Sequence, residues 1–221
     1  MERMHRNGDL GQQPAAARAY RALERMVVIL DLAPGSTTTE GALIERLQLG
    51  RTPVREAIQR LAWEGLLEIR PRAGIAVAPL DPGDWLRVVE AREGVEIAMA
   101  RAAARHATQD AAGQFAEAAH AMQRAVISGN VIAFMEADKS LDEAMALAAD
   151  NPFAARLAAP LQTHSRRFWY RYKADTGLAV AAEHHLGIIR AVLDGDGEAA
   201  ARQAARLMEL LRNHAEAAAR R

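Results

Sequence analysis

Apolar residues in this chain recur mostly at helical spacing. Val54, Ala57, Ile58 and Leu61 fall at i, i+3, i+4 and i+7, which lays one apolar stripe along a helix that opens near Arg51-Thr52-Pro53. Thr52 is expected to cap this helix with its hydroxyl. Pro53 then takes the first helical position, where a missing N–H leaves nothing unsatisfied, and Gly65 closes the helix. Upstream, Tyr20, Leu23, Val27 and Leu30 mark a helix from Ala16 to Leu32, stopped by Ala33-Pro34-Gly35. Thr39 is placed to cap a short helix, Glu40 to Leu47, and Gln48 to Arg51 forms the turn between the two. The period changes after Gly65. Leu66 to Arg70 and Ile75 to Ala78 are short β-type runs, joined by Pro71-Arg72-Ala73-Gly74, where Gly74 is available for positive φ.

Beyond Pro79-Leu80-Asp81-Pro82-Gly83-Asp84 no alternating pattern of useful length returns. Helices are predicted near 84–105, 108–128, 130–149, 151–173, 177–194 and 196–219. Capping and turn residues separate them: Thr108, Ser128-Gly129-Asn130, Asp150-Asn151-Pro152, Asp175-Thr176-Gly177 and Asp194-Gly195-Asp196. The chain therefore reads as mainly α. A flexible tail at 1–15 precedes a winged helix-turn-helix at 16–79. A linker at 80–84 leads to an all-helical bundle of about six helices at 85–221.

The helix-turn-helix carries a second pattern. Arg51, Arg55 and Gln59 lie at i, i+4 and i+8, on a face away from the apolar stripe. Such side chains suit phosphates and the acceptor edge of guanine in a major groove. Arg70 and Arg72 lie at the tip of the β-hairpin, placed for phosphate or minor-groove contact. Taken alone, two arginines one turn apart are more simply a solvated face. The order helix, turn, helix, wing, with arginine on both candidate surfaces, favours DNA. Zero net charge over 221 residues speaks against a nucleic-acid partner until the chain is divided. Residues 1–80 hold 11 basic and 9 acidic side chains (+2), and residues 46–72 alone hold 6 Arg against 3 Glu (+3), a local basic patch.

Composition narrows the rest. Half of the residues are hydrophobic and few are aromatic, as closely packed helices require. The absence of Cys excludes disulfides and thiolate metal sites. No apolar run of membrane-spanning length and no signal-type hydrophobic segment at the start is visible, so the expectation is a cytoplasmic protein.

Residues 17–79 resemble the N-terminal domain of the GntR family of bacterial transcription regulators. The carrying residues are Ala33-Pro34-Gly35, Glu40, Leu43, Leu47, Arg51-Thr52-Pro53-Val54-Arg55-Glu56-Ala57, Leu61, Glu64-Gly65-Leu66 and Pro71-Arg72-Ala73-Gly74. The resemblance implies a homodimer that binds a short inverted repeat in double-stranded DNA and answers to a small molecule. It implies DNA contacts from Thr39, Arg51, Thr52, Arg55, Gln59, Arg70, Arg72 and Gly74. Two departures stand out: Gly50 replaces the usual Ser or Thr before the first recognition Arg, and Gly41 stands where a basic residue is frequent.

Residues 85 to about 215 resemble the all-helical FCD effector domain of the FadR-like branch of that family. The resemblance is carried by Arg92 with Glu96, Asp138, Asp150-Asn151-Pro152, Glu183-His184-His185, and Gly195-Asp196 with Ala200. Many such domains hold a divalent metal on one Asp and three His. Asp138 matches the Asp and His185 matches one His. Asp142 stands at the first His position and Leu207 at the last. Asp138, Asp142 and His185 are therefore a reduced candidate set for zinc, nickel or manganese, or else polar groups lining a wet cavity, with no cofactor required. Candidate effector residues are Arg92, Asp138, Asp142, Arg167 (or its neighbour Arg166) and His185. An Arg pair suits bidentate capture of a carboxylate, while an Arg92–Glu96 ion pair at i+4 is the equally simple alternative.

The expected function is a DNA-binding transcriptional regulator, of repressor type, controlled by a small organic acid or sugar acid. Two other readings follow from the same residues: a metal-dependent enzyme using Asp138, Asp142 and His185, and an architectural DNA binder with no ligand. No nucleophile motif, phosphate loop or cofactor fingerprint supports the enzyme.

Overall fold

The computed structural model describes residues 14–173 and 177–220, and divides the chain into two compact units that meet in sequence between Leu80 and Asp81. The tail expected at 1–15 lies outside the described residues except for Pro14 and Ala15, and so does most of the break expected at Asp175-Thr176-Gly177.

In chain order the first unit holds α1 (Ala15–Val28), β1 (Thr37–Thr38), α2 (Glu40–Leu47), α3 (Arg51–Trp63), β2 (Leu67–Arg70) and β3 (Gly74–Val77). The strands form an antiparallel sheet in the order β1-β3-β2, with Thr37 opposite Ala76 and Ile69 opposite Ile75. Leu23 and Val27 of α1, Leu43 of α2, the stripe Val54, Ala57, Ile58 and Leu61 of α3, and Leu67, Ile75 and Val77 of the sheet share one buried core. That stripe is the one the sequence periodicity marks.

Two helix boundaries of this unit differ from expectation. α1 ends at Val28 rather than Leu32, because Leu30 adopts φ +60° and the Leu32 N–H turns back to the Met26 carbonyl. Thr52 does not cap α3. The helix starts one residue earlier, with Gly50 as its N-cap and no side-chain cap hydrogen bond. Pro53 tolerates the third position, because the first four helical N–H groups lack intrahelical partners in any case. The far end is as expected: Gly65 adopts φ +78°, and the N–H groups of Gly65 and Leu66 bond the carbonyls of Ala62 and Leu61 at 3.1 and 2.9 Å, a Schellman closure.

The second unit contains α4 (Pro82–His106), α5 (Gln109–Ser128), α6 (Val131–Ala148), α7 (Pro152–Tyr172), α8 (Gly177–Leu193) and α9 (Gly197–Ala219). Asp81 caps α4 by accepting from the Gly83 N–H at 2.8 Å, so residues 82–84, expected as linker, are already helical. Thr108, Asn130, Asn151 and Asp196 cap the later helices, each accepting from the backbone N–H three residues on. α4 packs along α9 and α7, and α5 packs along α6. Small residues let α4 and α9 approach closely. Ala100, Ala103 and Ala104 are buried on one helix and Ala200, Ala201 and Ala204 on the other, and a Cβ at Gly197 would come 3.1 Å from the Arg101 carbonyl oxygen.

Candidate functional sites

The first site is the exposed face of α3 with the hairpin tip. Arg51, Thr52, Arg55 and Gln59 are all exposed, turned away from the buried stripe. Arg55 reaches across to α2, where its Nε and Nη2 each donate to a different carboxylate oxygen of Glu40 at 3.1 Å. Arg51 Nε lies 3.9 Å from the same carboxylate. Glu40 is itself placed by Thr39, whose Oγ1 accepts from the Ala42 N–H at 3.2 Å and starts α2. Sequence reasoning did not single out Glu40 as a partner of Arg55. The two are 15 residues apart across a turn, and no local spacing signals the pair.

At the hairpin tip Arg70 donates to Glu68 at 2.7 Å, an exposed pair that raises the arginine pKa and lowers that of the glutamate. Arg72 is exposed at φ +64°, in the left-handed region. Gly74 adopts φ +90°, and a Cβ there would sit 2.5 Å from the Thr38 carbonyl oxygen. Glycine is therefore the residue that lets β3 run this close to β1.

The second site is a cleft among α4, α6, α7, α8 and α9 with about 400 Å³ of free space, its open mouth included. Phe134, Met135, Trp169, Ala181, Leu207 and Leu211 form its apolar wall, and Arg92, Asp138, Ser165, Arg166 and His185 its polar side. Arg92 and His185 thus reach the cavity, as does Trp169 of α7. Arg166, rather than Arg167, is the arginine of α7 that faces it. Arg167 is fully buried and is not among the lining residues. His214 lies against the Trp85 ring, with centroids 6.4 Å apart, also outside the lining.

The polar side is tightly bonded. Arg92 donates to Glu96 through Nε at 3.1 Å and Nη2 at 2.8 Å, and Gln162 Nε2 donates to the same carboxylate at 3.0 Å. The i+4 ion pair is therefore formed, with both partners nearly buried. Nη1 of Arg166 donates to Asp142 Oδ2 and also lies 3.5 Å from Asp138 Oδ2. Nη2 of Arg166 donates to Thr163 Oγ1 at 3.2 Å. His185 Nε2 is 2.7 Å from Asp138 Oδ1, and Nδ1 is 3.0 Å from the Ala181 carbonyl oxygen. Burial lowers the His185 pKa, opposed by the charge of Asp138. Asp142 is pushed up to about 8, chiefly by burial and then by Asp138, and Arg166 pulls the other way without prevailing.

This arrangement does not suit the metal set read from the sequence. Among the described residues no three His, Asp or Glu side chains are grouped to hold an ion. The oxygens of Asp138 and Asp142 that a cation would need are both directed at Arg166, the imidazole is directed at Asp138, and Leu207 contributes only hydrocarbon. Among the described residues no helix is long and apolar enough to cross a membrane.

Known proteins align with both units. A family model described as bacterial regulatory proteins, gntR family, matches residues 15–77, and the FCD domain model matches residues 87–218. The HTH-type transcriptional repressor RspR of Escherichia coli (strain K12) is 29% identical over 196 residues, covering 86% of this chain and 84% of that protein. A protein of Paenarthrobacter nicotinovorans described as "Probable D-xylose utilization operon transcriptional repressor" is 29% identical over 185 residues, 80% of each chain. The solved structure of E. coli McbR/YncC shares the fold with a TM-score of 0.76 at 19% identity, over 90% of this chain and 95% of that one. These relatives are regulators of transcription rather than enzymes.

Proposed function

This chain belongs to the GntR family of bacterial transcriptional regulators, with an FCD domain after its helix-turn-helix, and from that we propose that a small organic acid or sugar acid bound in the FCD cavity controls its hold on DNA. It binds double-stranded DNA as a cytoplasmic homodimer at a short inverted repeat. α3 enters the major groove, with Arg51, Arg55 and Gln59 toward bases and phosphates, while Thr39, Thr52, Arg70, Arg72 and the backbone at Gly74 hold the register. Phe153 and Leu157, one turn apart on α7 and 71% and 65% exposed, are apolar surface that a second copy would cover.

The observation that carries the ligand reading is the cavity itself. Arginine and hydroxyl donors lie on one side and aromatic and aliphatic groups on the other, enough to orient a small acid with a hydrocarbon or polyol body. A ligand that prefers one arrangement of the dimer shifts the spacing of the two α3 helices relative to the half-sites. The hinge this requires is Pro79 with what remains of the expected linker, residues 80–81, since α4 begins directly after it.

The test is fluorescence anisotropy on DNA selected from a random pool by the full-length protein, with a panel of organic and sugar acids added. Release or tightening by one acid, abolished in Ser165→Ala or Arg92→Gln while DNA binding survives, is expected. DNA binding indifferent to every member of a broad panel, with no acid shifting the melting temperature, argues for the architectural binder.

A further inference from the structure

We propose that the Arg166 guanidinium is the resident cation of the FCD cavity, closing it to metal ions and leaving a site that works without one. One guanidinium nitrogen, Nη1, addresses both Asp142 and Asp138, and Asp138 passes the connection on to His185 at 2.7 Å. The three donors that could hold a divalent ion are thus linked around a fixed positive charge supplied by the chain. Each has a buried or nearly buried side chain, as does Arg166. A metal entering here would have to displace a buried arginine from its bonds to Asp142 and Asp138 and leave that charge beside its own, which is unfavourable in a region of low dielectric. Arg166 belongs to the cavity lining, so an acid entering the cleft meets the guanidinium itself.

The counterpart of this arrangement is a latent metal site. Removing the Arg166 side chain takes away the charge that Asp138 and Asp142 share, and the two carboxyl groups with His185 are then expected to draw together on an ion such as manganese or zinc, with water completing the shell.

The experiment uses full-length protein dialysed against chelator. Wild type, Arg166→Ala and the double variant Arg166→Ala/Asp138→Asn are each titrated with Mn²⁺, Zn²⁺ and Ni²⁺, reading bound metal by elemental analysis and stability by thermal melting. Wild type is expected to retain no stoichiometric metal and to melt at the same temperature with or without it. Arg166→Ala is expected to melt lower and to recover by several degrees on taking up about one equivalent of metal, by linkage to the folded state. The double variant is expected to lose that recovery. Stoichiometric uptake by wild type that Asp138→Asn abolishes would overturn the proposal. So would a folded Arg166→Ala that binds none of the three ions. Should the chelated single variant be unfolded, the readout is circular dichroism: refolding on addition of metal supports the proposal, and no refolding with any of the three overturns it. Neither DNA nor effector enters the measurement, so its failure leaves the regulatory reading untouched.

Discussion

Glu40, the first residue of α2, grips Arg55 of α3 in a two-point fork, with both nitrogen–oxygen distances at 3.1 Å. The arginine remains 56% exposed, so the fork aims it without covering it. On the proposed reading α3 faces DNA, where a carboxylate repels phosphate and is tolerated if it fixes the direction of a base-reading side chain. Glu40→Gln should therefore tighten binding to random DNA, weaken discrimination of the selected sequence, and lessen the effect of salt on neither. Arg55→Ala should cost about 1–3 kcal/mol on the selected sequence if it reads a base. Anisotropy titrations on selected and random duplexes check both. An equal loss on the two DNAs for Arg55→Ala would reduce its role to a phosphate contact.

Thr39→Ala removes the oxygen that accepts from the Ala42 N–H at the start of α2. The expected loss is about 1 kcal/mol of stability, read from denaturant midpoints at unchanged m-value. DNA affinity should fall as well, because the same helix start positions Glu40.

Gly74→Ala places a Cβ 2.5 Å from the Thr38 carbonyl oxygen, at a backbone φ of +90°. The wing must open from β1 or distort, and the expected cost exceeds about 1 kcal/mol. Hydrogen exchange should show faster opening of the β1–β3 pairs, with the α4–α9 helices unaffected.

Burial, and then the charge of Asp138, push the Asp142 carboxyl up to about 8, while an unfolded aspartate titrates near 4. Between those values the folded chain binds more protons than the unfolded one. The stability from this group is therefore full below about pH 4, declines as pH rises toward about 8, and is level above it. The charged groups that set this are Asp138, Arg166, Glu96 and Arg92. Asp142→Asn should flatten that part of the profile, so its melting temperature should compare more favourably with wild type at about pH 8.5 than at about pH 5.5. A constant difference across the range would mean that Asp142 stays ionised against Arg166 throughout.

Where local rules govern, the sequence was readable. The breaks at Thr108, Asn130, Asn151 and Asp196 each have a side-chain oxygen that caps the helix it precedes, so the segmentation of the bundle followed from residue types. Leu30 misled, because an apolar residue continued the period of α1 while its backbone had already turned to positive φ. β1 has two residues, too short to alternate, and exists only because β3 lies beside it. Arg166 and Arg167 are adjacent in sequence and about 100° apart around α7. Which one faces the cavity is decided by how α7 packs, and nothing in their order reveals it. The surroundings of the candidate metal set were hidden for the same reason: Asp138 and Asp142 share a face as their spacing says, but the guanidinium beside them comes from another helix.

Asp81 and Arg92 stand on one helix, eleven residues apart. At about 1.5 Å of rise per residue the cavity is roughly 16 Å from the point where α4 begins. After Pro82 no proline interrupts the helix, so α4 is a stiff lever rather than a chain of separate contacts. A tilt of about 5° at Arg92 displaces the Asp81 end by on the order of 1 Å, a shift of the size at which packed interfaces exchange one arrangement for another. Leverage of this kind needs no large rearrangement around the ligand. On the proposed reading it needs only that Arg92, held by Glu96, which Gln162 also bonds, sit differently when the cleft is filled.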